Sequence, residues 1–169
     1  MRECAGCHGY QDGERYVFEG RHLGQVESNT QLGTDPARLD SYTSEFQQYQ
    51  VSELFRGTPY QFRHFRKTDG YANLPLDGLW LRAPYLHNGA VPTLADLLMP
   101  PAQRPQVFWR GYDVYDPVRV GFTVQGPAAE RAGTLLDTRL RGNSNQGHDF
   151  GTALPDASKT ALLEYLKSL

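Results

Sequence analysis

Apolar residues recur at near-helical spacing in only three stretches of this chain. From residue 37 to about residue 55, Leu39, Tyr42, Phe46, Tyr49 and Leu54 predict one helix. Thr34-Asp35-Pro36 opens it and Arg56-Gly57-Thr58-Pro59 closes it. A short second helix is predicted at Thr93-Leu94-Ala95-Asp96, a capping-box pattern with Asp in place of Glu or Gln. Its Leu94, Leu97 and Leu98 face inward, and Pro100-Pro101 stops it. The third helix starts at Asp156 and runs to Leu169 on a stripe of Ala161, Leu162, Leu163, Leu166 and Leu169. One stretch alternates: Val118, Val120, Phe122 and Val124 against Arg119, Gly121 and Thr123 predict a half-buried strand, with residues 106–111 as its candidate partner. Residues 1–34 are polar and broken by glycines, reading as loop with a short helical turn near the start. Residues 57–72 are aromatic and basic without a period, which predicts a packed loop. The pattern therefore predicts a mainly α fold with long loops and a short β-hairpin or single strand pair, and shows no internal repeat.

Composition adds limits more than detail. At 169 residues the chain is expected to be a single domain over 1–169. Its 17 glycines and 11 prolines fit short elements joined by long loops. The net charge of −2, with no Lys/Arg block, gives no footprint for nucleic acid. No apolar run approaches the ~18 residues of a membrane span.

The chemistry sits at Cys4-Ala5-Gly6-Cys7-His8, which uses both cysteines of the chain. C-x-x-C-H is the attachment signature of c-type haem. Two thiols on one turn reach the two vinyl groups of a porphyrin as thioethers, and the following imidazole lies under the iron. A structural zinc site needs four soft ligands, and neither a third cysteine nor an H-x₃₋₅-H pair exists here. A thioredoxin-like pair belongs beside a βαβ pattern, which the polar segment after His8 does not provide. One covalently attached haem c is thus expected, with Cys4, Cys7 and His8 holding it and His8 as proximal iron ligand. A bound macrocycle would supply part of the core.

The opposite face of the iron decides the chemistry, because Met, His or an open position give different potentials and reactivities. Three residues compete for it. Met99, the one methionine besides Met1, ends the Leu-rich short helix and has only soft-ligand fit in its favour. His87 lies in the turn Ala83-Pro84-Tyr85-Leu86-His87-Asn88-Gly89. His148 lies in Asn145-Gln146-Gly147-His148-Asp149-Phe150-Gly151, where flanking glycines let backbone approach a flat cofactor. His22 and His64 read as ordinary loop histidines. Arg82 and Trp80 are the nearest candidates to partner the haem propionates through guanidinium and indole N–H. No catalytic triad, zincin motif or phosphate loop is present.

The stretch Leu79-Trp80-Leu81-Arg82-Ala83-Pro84-Tyr85-Leu86-His87-Asn88-Gly89-Ala90-Val91-Pro92-Thr93-Leu94 resembles the C-terminal haem region of the bacterial dihaem cytochrome c peroxidase superfamily. Within it, the nearest branch is the rubber-oxygenase-like dihaem c-type cytochromes. The likeness extends through Asp96–Pro105, Tyr115–Phe122, Gly147–Thr152 and Leu162–Leu169, most of residues 75–169. It implies a cytochrome c-like domain whose iron is bis-histidine ligated, with His148 distal to His8, and which passes electrons instead of binding substrate. In the peroxidases a methionine 14 residues after the turn histidine takes that role; counting from His87 reaches Pro101, so the role does not transfer to Met99. The expected function is electron relay to or from a second haem domain or a redox partner protein, with an open-iron peroxidase or oxygenase domain as the alternative. No catalytic residue is assigned. Haem attachment of this kind implies a periplasmic or secreted location. Only three residues precede Cys4, without an apolar leader, so the expectation is either a removed signal or, the favoured reading, the C-terminal part of a longer exported chain.

Overall fold

Local hydrogen bonding breaks this chain into short elements. The computed structural model describes residues 2–169. Its helices are α1 (Arg2–His8), α2 (Asn29–Leu32), α3 (Ala37–Asp40), α4 (Ser44–Ser52), α5 (Leu94–Leu97), α6 (Pro127–Ala132) and α7 (Asp156–Leu166). Strands pair antiparallel in twos: β1 (Tyr10–Asp12) with β2 (Arg15–Val17), and β3 (Val26–Ser28) with β4 (Gly70–Ala72). Further along, β5 (Val107–Arg110) pairs with β8 (Thr134–Asp137), and β6 (Tyr115–Asp116) with β7 (Gly121–Phe122).

The molecule is only 30% helical and 16% strand, which overturns the expectation of a mainly α fold. Two local competitions account for much of the difference. The helix predicted over 37–55 is cut in two because the Thr43 hydroxyl accepts from the Phe46 N–H (3.1 Å) and starts a new helix, while Ser41 donates to the Arg38 carbonyl. Residues 117–120 are a turn, not a strand, because the Asp116 carboxylate accepts from the N–H groups of Val118 and Arg119 at 2.9 and 3.0 Å. Val118 is accordingly 74% exposed, and the strand at 107–110 pairs with Thr134–Asp137. Four strand pairs replace the single pair expected, each strand being too short for alternation to mark it.

The predicted helices at Thr93 and near the C-terminus do form. The Thr93 hydroxyl accepts from the Asp96 N–H at 3.0 Å and donates to its carboxylate, closing the start of α5. Asp156 is the first helical residue of α7, after Pro155, and its side chain makes no capping bond. Leu94 and Leu98 join Leu162 and Leu166 of α7, with Tyr85, Val91 and Val120, in the hydrophobic core. Among the described residues, every fully buried apolar side chain lies between Tyr85 and Leu166. The first 72 residues instead lie against that core through hydrogen bonds, and the aromatic stretch predicted as a packed loop leaves Tyr60, Phe62 and Phe65 exposed. No helix among the described residues is long and apolar enough to cross a membrane.

Gly70 shows why β3 and β4 meet so closely. A Cβ there would stand 1.8 Å from the Glu27 carbonyl oxygen, so only glycine admits the register that sets Glu27 opposite Tyr71.

Candidate haem site

Cys4 and Cys7 stand three apart on α1, a spacing that puts both on one helical face. That face forms part of a cavity of about 340 Å³, within the size range of small-molecule sites. Its wall continues through His8, His148, Phe150, Leu32 and the β3–β4 pair.

His8 ends α1, and Gly9 beyond it adopts φ 74°, the left-handed conformation common just after helices. The His8 Nδ1–H donates to the Leu74 carbonyl at 2.7 Å, fixing the tautomer that leaves a lone pair on Nε2. Tyr16 secures the same end: its hydroxyl donates to the His8 carbonyl at 2.5 Å and accepts from the Leu76 N–H at 3.0 Å. Histidine metal ligands are oriented by such partners on the second ring nitrogen.

The His148 ring faces His8 with centroids 6.4 Å apart and planes 44° apart. Burial first, then the neighbouring His8 imidazole, pull its pKa down to about 4. It is therefore neutral at pH 7, the form that has a lone pair to give. Its Nδ1 is buried without a hydrogen-bond partner among the described residues. The backbone sets its place: the His148 N–H donates to the Leu32 carbonyl at 2.8 Å, and Gly147 fits so tightly that a Cβ would meet Leu32, Gly33 and Thr34 at 2.5 Å.

Both cysteines and the facing pair His8 and His148 are thus gathered in one cavity, which His22 also lines. A metal–imidazole bond is about 2 Å long and the bonding nitrogen lies about 1 Å from its ring centre, so two imidazoles trans on one ion bring their centroids to roughly 6 Å; the observed separation is 6.4 Å. Among the described residues, no three His, Cys, Asp or Glu side chains are grouped to hold a bare metal ion. The donor set therefore fits an ion whose remaining positions are filled by a macrocycle. Burial and the Glu27 carboxylate push the Cys7 thiol up, opposite to the lowered pKa of a reactive redox cysteine.

The other candidates lie elsewhere. Met99 does not line the cavity, and Met1 lies outside the described residues. His87 stacks on Tyr71 with centroids 4.7 Å apart, so it backs the cavity wall without entering it. Its Nε2 is buried without a partner among the described residues, and burial lowers its pKa. Arg82 hydrogen-bonds the carbonyls of Pro75 and Asp77, and neither it nor Trp80 lines the cavity. The polar wall comes instead from His22, Glu27, Gln31 and Asn73. His22 Nδ1 and Glu27 Oε1 are 2.9 Å apart, and Asn73 donates to both the His22 carbonyl and Glu27. The sequence held no signal for these four, because the β3–β4 pairing that assembles them joins residues more than 40 apart.

The stretch from β4 through β5 contains the Leu74 carbonyl that orients His8 and the core turn around Tyr85. Residues 70–110 match the family model "RoxA-like, cytochrome c-like". The match supports a RoxA-like cytochrome c domain and implies haem c as cofactor. Two proteins of Sinorhizobium fredii (strain NBRC 101917 / NGR234) are also similar. "Uncharacterized protein y4iJ" is 43% identical over 108 residues, covering 59% of this chain and 18% of its own length. "Uncharacterized protein y4iM" is 42% identical over 119 residues, covering 59% of this chain and 27% of its own length. The chain thus spans roughly a quarter or less of these relatives. The matched stretch supplies Tyr71, Ala72 and Asn73 to the cavity wall but contains neither the C-x-x-C-H motif nor His148, which come from segments on either side of it.

Proposed function

We propose that this chain is an electron-transfer domain carrying one covalently attached haem c, with Cys4 and Cys7 as thioether anchors and His8 and His148 as axial ligands. The observation that carries the reading is the pair of imidazoles 6.4 Å apart across a cavity that both cysteines line. Bound haem supplies a reversible one-electron couple at its iron. The protein's residues do the rest. His8 is held in the ligating tautomer by Leu74, His148 is kept neutral by burial, and the two together close the iron to exogenous ligands. With both faces filled, the domain relays electrons to or from a second haem or a redox partner. The placement beside the dihaem peroxidase superfamily, supported by the resemblance of residues 79–94, and an exported, periplasmic setting, supported by the C-x-x-C-H motif, belong to the same reading.

Expression with a c-type maturation system tests it. The pyridine haemochrome should report one haem with both thioethers, and the reduced protein should exclude CO. His148→Ala should turn a six-coordinate low-spin spectrum into a high-spin, CO-binding one. Absence of covalent haem, or stoichiometric CO binding by the wild type, would refute the closed site.

A further inference from the structure

Arg104 is the largest fully buried side chain among the described residues, with no exposure at all. An arginine has five N–H donors in one plane, and here each one meets a backbone carbonyl. Nε donates to Met99 (3.0 Å), Nη1 to Asn145 (2.5 Å) and Gly147 (2.8 Å), and Nη2 to Leu97 (3.1 Å) and His148 (3.3 Å). Three of the five acceptors belong to the loop that presents His148. The nearest carboxylate oxygen, on the mostly exposed Asp149, is 3.9 Å away, and the buried Asp96 acts on the guanidinium only from beyond ion-pair distance, so all five N–H groups are left to backbone carbonyls. An apolar side chain of similar volume would fill this space without the desolvation cost of a cation. Its failing would be five carbonyls left without donors.

The loop needs such a fastening. Gly147 and His148 both adopt positive φ, 83° and 52°, a left-handed pair that a free chain seldom holds when one member is not glycine. The His148 Nδ1 has no hydrogen-bond partner among the described residues, whereas the His8 Nδ1 has the Leu74 carbonyl. The direction of the His148 imidazole is therefore set through its backbone, and the backbone is held from below by Arg104. We propose that Arg104 is the positioning residue of the distal ligand: by gathering the carbonyls of Asn145, Gly147 and His148 it holds the imidazole opposite His8. The proposal rests on the reading of His148 as an iron ligand.

The test compares haem-loaded Arg104→Gln, Arg104→Lys, His148→Ala and Leu136→Ala by absorption, EPR and CO binding, well below each melting temperature. Leu136→Ala opens a cavity in the β5–β8 pair and serves as a control for lost stability. Loss of a group that orients a metal ligand weakens ligation by roughly 10–100-fold, so Arg104→Gln should show high-spin iron and CO binding faster by about that factor. Arg104→Lys keeps the charge but has only three donors, and should fall between Gln and wild type. Leu136→Ala should keep the low-spin, CO-excluding spectrum. If His148→Ala opens the iron while both Arg104 variants stay closed, the positioning role is wrong and the ligand assignment stands. An unchanged spectrum in His148→Ala removes the ligand assignment itself. Should Arg104→Gln not fold, a wild-type spectrum in Arg104→Lys overturns the proposal. So would an equal opening in Leu136→Ala at matched stability.

Discussion

Tyr16 carries two jobs on one oxygen. Its hydroxyl donates to the carbonyl of His8 and accepts from the N–H of Leu76, tying the end of α1 to the segment after β4 whose Leu74 carbonyl orients the His8 ring. Tyr16→Phe removes both bonds but keeps the ring, leaving a partly buried carbonyl and N–H without partners. The expected cost is about 1–3 kcal/mol, read as a lowered midpoint in urea or heat. The iron should nevertheless remain six-coordinate, because the Nδ1 bond to Leu74 is untouched; a high-spin spectrum in folded Tyr16→Phe would show that the two fastenings are not separable. The sequence made the site legible at this scale where chemistry depends on residue type and spacing, as in Cys4, Cys7 and His8. His148 was nameable only through glycine neighbours and family resemblance, since the bonds that place it come from Leu32 and Arg104, at separations no local pattern reports.

At the scale of elements, Asp35 joins two parts of the chain that no periodicity connects. Its carboxylate accepts from the N–H of Ala37 at 2.8 Å, Gly142 at 2.8 Å and Ser144 at 3.1 Å, locking the start of α3 to the segment before the His148 loop. Burial by itself would raise this carboxyl, but the three donors win and hold it below the usual carboxylate range. A depressed acid adds stability that is present above its unfolded pKa of about 3.9 and fades as pH falls through the lower folded value. Melting of the wild type should therefore drop more steeply below about pH 4 than that of Asp35→Asn, which cannot ionise. Equal acid profiles for the two would mean that the carboxylate charge contributes nothing to the clasp. Elements were legible where one side chain and one short pattern decide them: the Thr93 cap of α5 and the leucine stripe of α7 are both present. The break at Thr43 and the turn at Asp116 were written in the sequence as well, but as short-range hydrogen bonds that outcompete a weak apolar period.

Across the whole molecule, apolar burial is lopsided. The fully buried apolar side chains run from Tyr85 to Leu166, and α5 packs on α7 there, while residues before 73 contribute cavity wall around Cys4, Cys7, His22, Leu32 and Tyr71. Most of a domain's stability comes from apolar surface removed from water. The N-terminal segments can gain that term only by closing on something apolar that lies between them and His148. The proposed thioether-bound macrocycle would be such a body, and binding it would stabilise the folded arrangement over the open one. Cys4→Ser with Cys7→Ser, expressed without haem maturation, should consequently separate the two parts. Amide exchange in residues 10–72 should quicken by orders of magnitude relative to the haem-loaded protein, and protease should cut there first. The core of α5, α7 and the turn around Tyr85 should remain protected, because its contacts do not pass through the cavity. Equal protection of residues 10–72 with and without haem would mean that those segments are held by their hydrogen bonds alone, and that the cofactor is a passenger in a fold complete without it.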